Sequence, residues 1–164
     1  MKIINKQYNS RSCFLCGLEN QAGLHMRFYE TDKKELVSFF TPLNHHQSYP
    51  DRLHGGIITA VLDETMGRAI QIEEKDTWSV TADINVKFKL PVPLFKELKV
   101  VARVTRNTRL IYESEAEIYD QHRILATATA RFLKLPIEKI TDQDFHHREW
   151  LQEDITEEDL KHFK

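Results

Sequence analysis

One run of fifteen residues, Leu53-His54-Gly55-Gly56-Ile57-Ile58-Thr59-Ala60-Val61-Leu62-Asp63-Glu64-Thr65-Met66-Gly67, constrains this chain more than any other. Ile57, Ile58, Val61, Leu62, Thr65, Met66 and, just beyond, Ala69 recur at spacings of three and four. Successive helical residues turn by about 100°, so these side chains form one broad apolar stripe. A helix carrying such a stripe is a core helix, and something must cover it.

The rest of the chain reads as strands. Val80, Ala82, Ile84, Val86, Phe88 and Leu90 alternate with Thr81, Asp83, Asn85, Lys87 and Lys89 until Pro91 and Pro93 stop the pattern. Leu98, Val100, Ala102 and Val104 keep the same period, followed by 110–119 and 123–133, with turns at Asn107 and Asp120-Gln121-His122. Ahead of the helix, Leu24, Met26 and Phe28 alternate with His25, Arg27 and Tyr29, and 35–41 forms the second half of a hairpin. Residues 42–53 carry two prolines and suit an ordered loop. One long helix among many sequential strands predicts an α+β fold in which an antiparallel sheet wraps around one central helix. Residues 1–21 read as an N-terminal arm, loose over 1–12, and 22–135 as the domain. Residues 136–164 read as a charged, peripheral tail in which Thr156-Glu157-Glu158-Asp159 starts a short helix.

Composition narrows the function classes. A net charge of −2 and a pI near 6.4 supply no basic field for nucleic acid. No apolar run nears the eighteen or so residues needed to cross a bilayer, and the first residues lack a signal-peptide core, so a cytoplasmic protein is expected. The two cysteines, Cys13 and Cys16, form a CxxC pair, for which a structural disulfide is disfavoured in a reducing compartment. A zinc site would need a second pair of ligands, and the adjacent His45 and His46 converge poorly on one ion. The pair opens no βαβ unit, which argues against a thioredoxin-like role. The expectation is therefore burial as small apolar side chains, with no metal and no cofactor.

Two polar features of the helix stand out. Asp63 lies off the stripe on a flank shared with Thr59, Ala60 and Gly67, where another backbone or a ligand can come close. Glu64, four residues before Arg68, has a plainer task as its partner on the helix surface. Gly55 and Gly56 fall at the helix N-terminus, where backbone N–H groups lack internal acceptors. Eight residues separate Gly55 from Asp63, roughly 12 Å along one helix axis. Two antiparallel copies could bring an amide and an acid onto one small group, and twofold dimers are the commonest oligomers.

The run from Leu53 to Gly67 resembles the signature helix of hotdog-fold acyl-CoA thioesterases of the PaaI-like, phenylacetate-pathway family. Similarity extends to Thr81–Pro93 and to the opening Cys13-Phe-Leu-Cys-Gly-Leu-Glu-Asn-Gln-Ala-Gly-Leu24, covering about residues 13–135. The resemblance implies thioester hydrolysis, with the Gly55 amide polarising the carbonyl and Asp63 acting as general base or nucleophile. It also implies a hydroxyl at Thr81 that helps to hold water. His54 is a candidate for orienting carbonyl or loop through its ring nitrogens, with a helix cap or a packing residue as the alternative. Relatives carry an amide residue shortly before His-Gly-Gly, where this chain has Ser48, with Gln47 one residue farther; Gln47 is preferred. Gly56 and Ser48 are candidates for substrate binding. Lys87, Lys89, Arg103, Arg106 and Arg109 are candidates for coenzyme A phosphates, coenzyme A entering as part of the substrate. The expected assembly is a homodimer or a dimer of dimers, and the alternative is a non-catalytic acyl-CoA-binding module on the same fold.

Overall fold

A computed structural model describes residues 1–163. The fifteen-residue run forms helix α1, Gly55–Ala69, which tightens into a 3₁₀ turn at Ile70–Ile72. Of the stripe, Ile58, Val61, Leu62, Thr65, Met66 and Ala69 are buried, and Ile57 packs at the margin of the core. Each fully buried Leu, Ile or Met side chain contributes about 1.5–3 kcal/mol.

Among the described residues there are nine strands. They are β1 (Ile3–Lys6), β2 (Asn9–Ser10), β3 (Arg27–Thr31), β4 (Leu36–Phe40), β5 (Ser79–Phe88), β6 (Leu98–Asn107), β7 (Ile111–Asp120), β8 (Arg123–Lys134) and β9 (Trp150–Leu151). Seven form one sheet in the order β1-β3-β4-β6-β7-β8-β5, each neighbour antiparallel. Phe28, Leu36, Val100, Ala102, Tyr112, Ala116, Ala128 and Phe132 share the core with α1. Ala126, Ala128 and Ala130 are all buried on β8, and small side chains there let the helix lie close. Gly67 serves the same end, since a Cβ there would stand 3.3 Å from the Phe132 ring. This is the sheet-around-helix arrangement of the hotdog fold, as expected.

Strand β5 holds a departure from simple alternation. Thr81 pairs with Phe132 and Asp83 with Arg131, which leaves Ala82 as an extra residue in a bulge. The bulge shifts the phase of the strand. Thr81 now shares the inward face with Ile84, Val86 and Phe88, whereas unbroken alternation groups Val80 and Ala82 with them.

The termini also differ from expectation. Residues 1–12 are not loose, because β1 extends the sheet beside β3 and β2 pairs with β9 from the far end of the chain. The C-terminal segment, with helices α2 (Phe145–Arg148) and α3 (Glu157–Lys161), is fastened rather than merely peripheral. Lys6 reaches Asp159 at 3.0 Å, Tyr29 donates its hydroxyl to the same carboxylate, and Arg27 grips Glu153 at 2.7 Å. The expected capping box forms, with Thr156 Oγ1 accepting from the Asp159 amide at 3.2 Å. Among the described residues no helix is long and apolar enough to cross a membrane.

Candidate active site

The N-terminus of α1 begins with an extended residue, His54, whose Nδ1 accepts the Gly56 N–H at 2.9 Å. His54 is therefore a helix cap, and a side chain at position 56 would press to 3.0 Å against its ring. The Gly56 amide is thus satisfied within the chain. The Gly55 N–H, by contrast, donates to no group among the described residues and carries the positive end of the helix dipole.

Two turns along α1, Asp63 is half-buried and Thr81 Oγ1 donates to its Oδ1 at 2.7 Å. The β5 bulge makes this contact possible by aiming Thr81 at the helix. Burial raises the Asp63 carboxyl above the usual carboxylate range, and the Thr81 hydrogen bond partly offsets that rise.

Beside Asp63 opens a cavity of about 400 Å³, bounded by α1, the start of β5 and the two chain termini. Trp78, Phe145 and Trp150 form its aromatic wall, with Trp78–Trp150 and Trp78–Phe145 ring centroids each 5.0 Å apart. Glu64 and Arg68 line it too, and they pair as expected, Nε to Oε1 at 2.7 Å. They do not do so on an open surface, however. Arg68 is buried, its guanidinium 4.4 Å from the Phe28 ring centroid and 4.9 Å from that of Trp150, donating also to Tyr8 O and Cys16 Sγ. The strap formed by the termini covers what would otherwise be an exposed helix flank.

Cys13 and Cys16 lie on this same cavity. Cys16 is fully buried, whereas Cys13 is only partly so, and the Cys16 S–H donating to Cys13 holds that thiol at about 7. Glu64 joins them, so that both sulfurs and a Glu64 carboxylate oxygen lie within 4.8 Å of one another. His46 stands apart, its ring bonded to the Leu43 N–H and the Ala22 carbonyl.

The other residues singled out from the sequence are dispersed. Gln47 Oε1 accepts the Asp51 N–H at 3.0 Å and so braces the loop, while Ser48 is exposed beside it. Lys87 sits on the outer sheet face with Arg103, and Arg103 is held by Glu35 and Glu115. Arg106 faces Glu113 at 3.7 Å, and Lys89 and Arg109 are exposed. Sequence reasoning missed Trp78, Phe145 and Trp150, which nothing in local periodicity ties to α1.

Residues 51–127 match the family model described as Thioesterase superfamily. The mouse (Mus musculus) acyl-coenzyme A thioesterase THEM4 is 31% identical over 114 residues, 68% of this chain and 48% of that protein. The chain spans about half the length of the curated relatives it matches. Similar solved structures include the PaaI protein of the E. coli phenylacetic acid degradation operon, with TM-score 0.61 and 17% identity over 68% of this chain and 80% of that one. A hypothetical thioesterase protein with coenzyme A from Streptococcus pneumoniae gives TM-score 0.58 and 17% identity, covering 62% of this chain and 82% of that one. At these identities the two structures bear on the fold alone.

Proposed function

We propose that the chain, which over residues 51–127 matches the thioesterase superfamily, hydrolyses an acyl-coenzyme A thioester at a site shared between two copies of itself. The observation that carries this reading is the half-buried Asp63 carboxylate at the cavity, held by Thr81. In this reading Asp63 takes a proton from the attacking water. The unpartnered Gly55 N–H of the second copy stabilises the oxyanion, and the coenzyme A thiolate leaves as the tetrahedral intermediate collapses. A dimer supplies what the roughly 12 Å between Gly55 and Asp63 along one axis denies to a single copy. Strand β5 favours such a dimer, since it is one edge of the sheet and carries Phe88 57% exposed, with Leu90 just beyond it 43% exposed, an unprotected edge for a monomer.

Coenzyme A is favoured as the carrier by the name of the mouse relative. Of the basic candidates, Lys87, Lys89 and Arg109 face no carboxylate among the described residues and can meet a phosphate, whereas Arg103 and Arg106 face carboxylates.

The test is a panel of acyl-CoAs with a thiol-detecting reagent, run on the parent protein and on Asp63→Asn. The substitution is expected to lower the rate by about two to four orders of magnitude, the scale of a lost general base, while the protein still sediments as a dimer. Parent-like rates in Asp63→Asn, or full activity in a true monomer, would overturn the proposal. Tight acyl-CoA binding without thiol release would instead mark a binding module.

A further inference from the structure

Two thiols and a carboxylate that hydrolysis leaves without a task face one another beside the Asp63 cavity. We propose that Cys13, Cys16 and Glu64 together hold a divalent thiophilic metal ion such as zinc, with its fourth position open to the cavity. The three ligand atoms lie within 4.8 Å of one another. Zinc–sulfur bonds of about 2.3 Å set the sulfur–sulfur edge of a tetrahedral site near about 3.8 Å, so the ligand atoms need draw together by only about 1 Å.

The turn that presents the sulfurs is built for convergence. The N–H groups of Leu15 and Cys16 both point at Cys13 Sγ, at 3.3 and 3.5 Å, and the Gly17 N–H donates to the Cys13 carbonyl at 2.8 Å. A Cβ at position 17 would stand 2.2 Å from that carbonyl oxygen, so the turn requires glycine there. Amides aimed at a sulfur favour its thiolate, the form that binds metal.

Charge fits as well. Two thiolates and one carboxylate carry three negative charges, and Arg68 supplies one positive charge through Cys16 Sγ at 2.9 Å and Glu64 Oε1 at 2.7 Å. The remaining two match a divalent cation. Arg68 is anchored independently by the Tyr8 carbonyl and by the rings of Phe28 and Trp150, so it stays as an outer partner that orients the ligands. Thiolates select a soft ion over magnesium or calcium. Three protein ligands with one position left for water is the pattern of a zinc site that can take a further ligand, and here that position faces the cavity. The ion would tie the turn after β2 directly to α1.

The experiment titrates Co²⁺ alone into the reduced, chelator-treated full chain under anaerobic conditions. One ion per chain is expected, with thiolate-to-cobalt charge-transfer absorption and the strong visible bands of a tetrahedral site. Cys13→Ser and Cys16→Ser should each remove that signal. Glu64→Gln, whose side chain is partly exposed and whose loss the fold tolerates better, should keep the charge transfer but weaken binding by more than about tenfold, the scale on which even outer partners act. Absence of a stoichiometric band, or binding unchanged in all three variants, overturns the assignment. Conversion of the two thiols to a disulfide during the titration, read by thiol counting, also overturns it and marks a redox pair instead. Because the readout is spectroscopic, its outcome is independent of whether Asp63→Asn abolishes hydrolysis.

Discussion

Along the side of α1 that faces the sheet, Ile58, Val61, Leu62 and Met66 are buried among Val100, Ala102, Ala116 and Phe132, with no polar partner to find. Along the neighbouring flank, Glu64 and Arg68 are covered by a strap of both chain termini, through a guanidinium shared among a carboxylate, a carbonyl and a thiol. The first side is held by area removed from water, which is non-directional and tolerant of small shifts. The second is held by directed contacts, each of which costs energy if its partner is lost. The helix is therefore fixed in place by one side, while the other closes the cavity conditionally.

The largest effect should come from the dry side. Leu62→Ala removes a fully buried side chain and is expected to cost about 2–5 kcal/mol in denaturant unfolding at fixed protein concentration. Arg68→Met keeps the stem packed against Phe28 and Trp150 but leaves Glu64 and the Tyr8 carbonyl short of a donor, a loss of about 2–3 kcal/mol. The two should differ in kind. Arg68→Met should first open the strap, read as faster amide exchange at Asn9, Ser10 and Leu151 and altered Trp78 and Trp150 emission, before the whole molecule unfolds. If it instead lowered global stability with no local opening, the two sides would be one cooperative unit and the contrast would fail.

The same contrast explains how much was legible in the sequence. The helix stripe and the β5–β8 alternation declare themselves because burial repeats at 3.6 or 2 residues within a short window. Contacts between residues far apart in sequence leave no such trace. Nothing local tells Ser10 that it will pair with Trp150, or Arg68 that Tyr8 and Cys16 will cover it. The reading of Glu64 and Arg68 as an ion pair was right about the partner and wrong about the setting, for spacing along a helix fixes neighbours but not what lies above them. For a related reason Glu64, paired along the helix with Arg68, gives no local sign that it faces Cys13 and Cys16. At the site, Asp63 and Gly55 were visible from their place on the helix. The inward aim of Thr81 was not, because one extra residue at Ala82 reverses the phase of a strand whose alternation looks unbroken.

The strap should also answer to pH. Burial of Asp159 opposes its charge, but the Thr156 amide, the Tyr29 hydroxyl and the Lys6 ammonium together hold its carboxyl at about 2. A carboxylate depressed in the folded state contributes stability that is fully present above its unfolded value, near 3.9, and is lost as pH falls towards the folded one. Fastening of the C-terminal segment should therefore hold down to about pH 4 and weaken between about pH 4 and 2, by up to about 2–3 kcal/mol. Asp159→Asn should remove that pH dependence while leaving the acid response of the Leu62 side unchanged. Identical acid profiles in parent and variant would assign the fastening to other groups.

The smallest effect lies where the two sides meet. Asp63 stands at the rim between sheet and strap, and Thr81 reaches it only because β5 is bulged. Thr81→Val preserves the shape of the side chain and deletes the donor, so Asp63 keeps its place in the helix but loses the contact that fixes its rotamer. On the proposed mechanism Thr81 is a positioning residue. Its loss should lower kcat about tenfold, or about 1.4 kcal/mol, with KM little changed, since slight misplacement of a catalytic group slows turnover without weakening substrate binding. Thr81→Ser restores the hydroxyl on a smaller side chain and should recover most of the rate. Equal rates in all three proteins would mean that the helix alone orients Asp63, and the dry side would then govern the chemistry as well as the fold.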